Sequence, residues 1–305
     1  MKIGDNKVNA ILKQFRAILK ENQIKINEPI KNYTTFKIGG PAKVLVVAEK
    51  IDEISKIINV CKKENVKYYI LGRGSNLLAK DEGYDGVLIL INISKIEIAN
   101  NIITVEAGAK LSRIAQIASE NNLSGFEFAH GIPGSIGGAV VMNAGAYGDE
   151  IKDVLLSIEA INAQGKQVTL QSSELNLGYR TSIIPKEGLI VLSATIKLNP
   201  GNREDIEKKT RELNQQRRDK QPLNYPSAGS TFKRPEGYFA GKLISDAGLA
   251  GLRIGDAQVS EKHCGFIVNV GSATYQDVNS LIEKVKYEVF RQFGVMLESE
   301  VKVIE

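Results

Sequence analysis

The sequence predicts an α+β fold in three consecutive parts, and three observations predict it. Near the N-terminus the pattern runs strand, helix, strand. The middle of the chain is crowded with short apolar strands and glycine. Beyond a long polar helix, short strands return around one long amphipathic helix. The divisions fall at 1–86, 87–202 and 203–305. A chain of 305 residues, 43% hydrophobic and 25% charged, has enough apolar material for two or three such cores.

Taken in order, Val8, Ile11, Leu12, Phe15, Ile18 and Leu19 share one face of an N-terminal helix. "AKVLVVA" reads as a strand. "DEISKIINVCKKEN" reads as a helix capped by Asp52, and "KYYILG" as the strand that completes a small βαβ unit. "GVLILI", "KIEIA" and "IITVEAG" are strands, the last two joined across Asn100-Asn101. "LSRIAQIASENN" is a helix. "DVLLSIEAINAQGKQVTL" is a hairpin over Gln164-Gly165, and "GLIVLSATIKL" a further strand. "NREDIEKKTRELNQQRRDKQP" is a polar connecting helix and "PSAGSTFKRPEG" a loop. "AGKLISDAG" is a helix closed by Gly248, and "AQVS" and "GFIVNV" are strands. "TYQDVNSLIEKVKYEVFRQFG" is a long helix opened by a Thr274/Asp277 capping box. The chain closes on a strand, "MLESEVKVI", whose alternation puts Leu297, Ser299, Val301 and Val303 on one face and Glu298, Glu300 and Lys302 on the other.

Composition narrows the function classes. No apolar run reaches the eighteen or so residues of a spanning helix, and the charged N-terminus lacks a signal peptide's apolar block. A cytoplasmic location with no membrane partner is expected. Cys61 and Cys264 are distant and read as reduced thiols; with His130 and His263 the only histidines, no metal site is expected. A net charge of +5 suits an anionic small molecule and lacks the dense basic patch of a nucleic-acid binder.

Two glycine loops carry the chemistry. "GRGSN", 72–76, follows a strand but departs from the dinucleotide fingerprint, since a leucine stands where its third glycine belongs and the later acidic residue is missing. What remains is a tight turn offering N–H groups, Ser75 and Asn76 to an anion. "GIPGSIGGAVVMNAGAYG", Gly131–Gly148, holds six glycines in eighteen residues. That density disfavours helix and strand alike, yet the remaining residues are apolar. Such a segment reads as buried, either as a turn between closely packed elements or with its backbone brought close to a flat or extended ligand.

"YTTFKIGGPA", "LGRGSNLL", "GIPGSIGGAVVMNAGAYG", "LGYRTS", "AGSTFKRP" and "AGKLISDAGLAG" occur in this order. Together, from about Ile30 to the C-terminus, they resemble the UDP-N-acetylenolpyruvoylglucosamine reductase family. The resemblance implies a vanillyl-alcohol-oxidase-type FAD-binding fold of two subdomains, 1–86 and 87–202. It implies a C-terminal α+β substrate-binding domain, 203–305, whose last strand returns a glutamate to the active site. It implies noncovalent FAD against Gly72, Gly74, Ser75, Asn76, Gly131, Ile132, Pro133, Gly134, Ser135, Gly137, Gly138 and Asn143. It implies NADPH as co-substrate and, in cell-wall precursor synthesis, reduction of UDP-N-acetylglucosamine enolpyruvate to UDP-N-acetylmuramate.

Read alone, Arg180 fits a surface ion pair, Ser230 a turn serine and Glu300 a solvent-facing strand carboxylate. The resemblance makes Arg180 the cation that meets the developing enolate, Ser230 the proton donor and Glu300 the C-terminal glutamate, with Glu298 its local competitor. It also places Lys220, and with it Arg217, at the UDP phosphates. His130, beside the second loop, is read as packing near FAD without attachment. No room is found between Leu243 and Val270 for the tyrosine-bearing segment some members insert, so the chain reads as the shorter subtype, a monomer or weak oligomer. Two other readings share these features. A flavin oxidase of a small alcohol would need no UDP. A flavin-binding protein without chemistry would have no use for Arg180, Ser230 and Glu300 together.

Overall fold

The computed structural model describes residues 4–304. Along the chain run α1 (Asp5–Arg16), β1 (Ile24–Pro29), β2 (Pro41–Ala48), α2 (Ile51–Lys63), β3 (Tyr68–Leu71), β4 (Leu77–Ala79), β5 (Tyr84–Ile91), β6 (Ile96–Ala99), β7 (Ile102–Glu106), α3 (Leu111–Glu120), β8 (Leu123–Ser124), α4 (Ile136–Val141), β9 (Gly145–Ala146) and β10 (Asp149–Glu150). They are followed by β11 (Leu155–Ile161), β12 (Gln167–Gln171), β13 (Ile190–Lys197), β14 (Asn199–Pro200), α5 (Arg203–Lys220), β15 (Ser227–Ser230), α6 (Ala240–Asp246), β16 (Arg253–Ile254), β17 (Ala257–Val259), β18 (Phe266–Asn269), α7 (Tyr275–Phe293) and β19 (Lys302–Ile304). Contacts gather the chain into two compact units that interleave in sequence. The first takes the chain up to Lys25, Leu45–Arg73 and Val87–Arg217; the second takes Ile26–Val44, Gly74–Gly86 and the chain from Arg218 on.

In the first unit, α1 and α2 turn Ile11, Phe15, Ile54, Ile57 and Ile58 inward, all essentially fully buried. β3, the strand that follows α2, pairs in parallel with β5, Tyr68 opposite Val87 through Leu71 opposite Leu90, and not with β2, so the two strands of the predicted βαβ unit are not hydrogen-bonded neighbours. The strand-rich middle is a five-stranded sheet in the order β12-β11-β13-β7-β6. Asn100, with φ 56°, makes the tight β6–β7 turn. Asp52 does not cap α2. Lys50 holds the cap position, and Asp52 sits within the first turn, paired with Lys56 at 2.8 Å. There its carboxylate still meets the positive end of the helix.

The second unit surrounds one apolar cluster that includes Phe36, Leu78, Phe232, Ile244, Ile267, Val278, Leu281, Val285 and Val301. Its sheet has the order β15-β18-β17-β16. The predicted capping box opens α7: Thr274 Oγ1 accepts from the N–H of Asp277, and the Asp277 carboxylate accepts from that of Thr274. "PSAGSTF" is not a plain loop, since Ser227–Ser230 is a strand bonded to β18. The C-terminal strand is shorter than its alternation suggests. It begins at Lys302 and runs parallel to β4, while Val303 is exposed. The residues before it share their backbone bonds between Thr231 and Asn76, so no regular ladder forms. The segment between α6 and β18 is filled by turns and the β16–β17 pair. Among the described residues no helix is long and apolar enough to cross a membrane.

Candidate active site

Within the first unit the two glycine loops meet. A Cβ on Gly72 would lie 2.7 Å from the Oγ of Ser135, so only hydrogen fits between them. Gly137 lies in α4, a short helix the glycine density argues against. Its N–H donates to Ala107 O (2.9 Å), and a Cβ there would meet the Ala107 Cβ at 2.8 Å. The helix thus accepts the cost of glycine for close packing on the end of β7. Gly138 next to it is exposed, and its Cβ would meet nothing nearer than Ser135 Oγ at 3.8 Å. Gly137 is closed by the protein; Gly138 is left open.

The polar helix α5 is more than a connector. Along its inner side Lys209 approaches the buried Glu127 carboxylate (3.8 Å) and the Leu213 carbonyl accepts from the Tyr147 hydroxyl (3.0 Å). The Asn214 amide donates to His130 Nδ1 (3.0 Å), and Arg217 lies against Gly131, its Cδ 3.2 Å from where a Cβ would stand. Arg217 Nε is buried and finds no partner among the described residues. Burial lowers the pKa of this guanidinium, against the opposing pull of Tyr147. A buried guanidinium nitrogen without a partner, beside a glycine loop, is a group that an anion would satisfy. Asn214 carries no motif signal; only the turn of α5 brings it to the loop, whose own Tyr147 meets the same helix.

Arg180 sits at a four-residue turn closed by Thr181 N–H to Gly178 O (3.2 Å) and Gly178 N–H to Thr181 O (3.1 Å). Its φ of 55° is left-handed, which a non-glycine residue adopts only at a cost. One guanidinium nitrogen donates to Gly145 O (2.9 Å), and the group lies over the Tyr179 ring, 5.1 Å from its centroid. Glycine would suit this backbone better, so the side chain is what justifies the arginine.

In the second unit Ser230 ends β15. Three steps along the chain, 227 to 230, span what two, 268 to 266, span on β18, and Gly229 at φ 78° takes up the bulge. Such a bulge re-aims the side chain that follows it. Thr231, fully buried, is held by its N–H to Gly265 O (2.8 Å) and by Ile267 N–H to its Oγ1 (3.0 Å). The Thr231 carbonyl then accepts from the N–H of Glu300 (2.8 Å). Ser230 and Glu300, seventy residues apart, are thereby brought to neighbouring backbone positions. Glu298, the alternative, is instead exposed and paired with Lys233 at 2.9 Å.

Gly74 of the first loop belongs to this unit; its φ is 61° and a Cβ would strike Tyr33 O at 2.0 Å. Asn76 Nδ2 donates to Glu300 O (3.2 Å), and Asn76 O accepts from Lys302 N–H (3.0 Å), so this residue braces the glutamate. Asn143, expected against the cofactor, is wholly buried, and its amide is committed to Glu150, Gly178 and Lys152, which leaves that side chain no free hydrogen-bonding group for one. Lys220 ends α5 exposed, in the second unit, while Arg217 falls in the first.

Comparison with known proteins places this geometry. The family described as "FAD binding domain" matches residues 42–171, and "UDP-N-acetylenolpyruvoylglucosamine reductase, C-terminal domain" matches residues 221–304. The chain is 50% identical to a UDP-N-acetylenolpyruvoylglucosamine reductase of Lachnoclostridium phytofermentans, covering 97% of each. It is also 50% identical to one of Caldanaerobacter subterraneus, covering 96% of this chain and 98% of that one. The solved structure of the reductase from Thermus caldophilus superposes with a TM-score of 0.79 at 36% identity, over 92% of this chain and 98% of that one. p-Cresol methylhydroxylase, at 14% identity and a TM-score of 0.52, shares the fold over 98% of this chain and 67% of its own. Fold and loops together define a flavin-dependent oxidoreductase with the vanillyl-alcohol-oxidase-type FAD-binding fold. Within that class, the chain belongs to the UDP-N-acetylenolpyruvoylglucosamine reductase family.

Proposed function

We propose that this protein binds FAD noncovalently and uses NADPH to reduce UDP-N-acetylglucosamine enolpyruvate to UDP-N-acetylmuramate, a step in peptidoglycan precursor synthesis. Residues 1–86 and 87–202 serve as the FAD-binding subdomains and 203–305 as the substrate domain. The observation that carries the reading is the juxtaposition of Ser230 and Glu300 through the Thr231–Glu300 bond, in a chain belonging to this family. Its residues fit FAD: the Gly72–Ser135 approach leaves room only for backbone, and Gly138 presents an open face. Gly131 through Ser135, with Gly74 and Ser75, would hold the cofactor's phosphates. When bound, FAD would supply the hydride chemistry of the reduction, with NADPH as its reductant.

The chain's own groups manage charge and proton. As electron density moves to the α-carbon and its carboxylate, the Arg180 guanidinium meets it with a positive charge and a planar fork of donors. Ser230 then gives its hydroxyl proton to the α-carbon. A serine is a weak acid, so it acts only beside such a developing carbanion and is reprotonated from solvent afterwards. Glu300 polarises the enol. Arg217 and Lys220 neutralise the substrate diphosphate. The test is anaerobic stopped flow. Enzyme reduced by NADPH should reoxidise rapidly on mixing with the enolpyruvyl sugar and slowly with simple alcohols or ketones. Equal reoxidation by oxygen alone would favour an oxidase and overturn the reading.

A further inference from the structure

Arg180 holds a strained backbone, and a strained residue persists only where its surroundings over-determine it. Three bonds tie its turn to the end of the second glycine loop, all within the first unit. The Gly178 carbonyl accepts from Asn143 Nδ2 (2.9 Å), the Ser182 hydroxyl donates to Val141 O (2.7 Å), and Arg180 itself donates to Gly145 O (2.9 Å). The first is central. Gly178 O is also the acceptor that closes the turn, so moving it opens the turn and frees the left-handed residue to relax.

The environment of Asn143 shows how firmly that bond is held. It is fully buried with φ 41°, a conformation asparagine tolerates better than most residues. Its second amide hydrogen goes to Glu150 Oε2 (3.0 Å), and its oxygen accepts from Lys152 N–H (2.9 Å). Glu150 is in turn paired with Lys152 Nζ (2.7 Å). Every hydrogen-bonding group of the amide is used, which fixes its orientation and aims one N–H at Gly178. We propose that Asn143 is a positioning residue for Arg180, reaching it through the Gly178 carbonyl; this rests on the reading of Arg180 as the group that meets the enolate.

The test separates this role from mere support of the fold. In the double variant Asn143→Asp with Glu150→Gln, the carboxylate introduced at 143 accepts from Lys152 N–H and from the amide introduced at 150, and net charge is unchanged. The donor to Gly178 is lost, and with it the Glu150–Lys152 ion pair; Glu150→Gln alone, which keeps the donor, controls for the second loss. The FAD-loaded double variant should melt lower than Glu150→Gln alone, because a carboxylate oxygen now faces the Gly178 carbonyl, yet be reduced by NADPH at the wild-type rate. Its reoxidation by saturating enolpyruvyl sugar should slow by about 10²-fold, the usual effect of a misplaced catalytic group. Amide hydrogen exchange over 178–182 should speed up, a readout independent of catalysis. Reoxidation at the wild-type rate, or a loss shared equally by the NADPH step, would overturn the proposal while leaving Arg180 in place. If Arg180→Ala alone leaves reoxidation untouched, the reading of Arg180 falls and the proposal with it. Should the double variant not fold, Asn143→Ser removes the same donor without adding charge and decides by the same rates.

Discussion

Arg180→Gly and Arg180→Ala make an instructive pair, because both remove the side chain and only one removes the strain. Each loses the bond from the guanidinium to Gly145 O, worth about 1 kcal/mol in a half-buried setting. Alanine at φ 55° keeps the left-handed penalty of about 1–2 kcal/mol, which glycine does not feel. Glycine gives back about 0.4–1 kcal/mol through its freer unfolded chain. The glycine variant should therefore be the more stable of the two by about 1 kcal/mol, or about 2 °C in melting temperature for a chain of this size. Elsewhere in a chain the order is normally the reverse. Urea unfolding of both variants, followed by far-UV circular dichroism, measures the difference directly. An alanine variant as stable as the glycine variant would refute the claim that the turn is strained. Both variants should be reduced by NADPH normally and fail in the reoxidation step. A protein thus keeps an arginine where glycine would serve its fold better.

Gly74→Ala should unfold the first loop, because its Cβ would strike the Tyr33 carbonyl at 2.0 Å, whereas Gly138→Val should melt normally yet purify without flavin. Flavin-to-protein ratio and melting temperature together separate these outcomes, and flavin bound fully by Gly138→Val would count against that face as the cofactor side. Ser230→Ala should slow reoxidation by the enolpyruvyl sugar by about 10²–10⁴-fold, with Ser230→Cys retaining more activity, since a thiol still delivers a proton; an unchanged alanine variant would move the proton to water or Glu300. Burial pushes the Cys61 thiol up to about 12 from an ordinary 9.0, so the unfolded chain ionises first and stability falls as pH rises past 9. At a pH of about 10.5 the loss should be about 2 kcal/mol, absent from the pH profile of Cys61→Ala; parallel profiles would show that the thiol is not the cause.

The sequence by itself determined the local elements and the motifs. Apolar residues at helical or alternating spacing marked α2, α3, β5 and β13, and Thr274 with Asp277 marked the start of α7, because these depend on neighbours within a few residues. The ordered motifs marked the family and, with it, Arg180, Ser230 and Glu300 as candidates. Tertiary structure alone decided which polar groups meet. Asn143 looked like part of a cofactor loop, and only the return of the chain at Gly178 made it a brace. Asn214 and the Leu213 carbonyl reached His130 and Tyr147 of the glycine loop through one face of a helix that reads as solvated throughout. Ser230 and Glu300 became neighbours through the antiparallel bridge of Phe232 to Ser299, closed by Glu300 N–H to Thr231 O and Lys233 N–H to Glu298 O. The physical reason is range: a helix or turn is chosen by residues three or four apart, whereas a buried amide is satisfied by whichever carbonyl the fold delivers to it, from any distance along the chain.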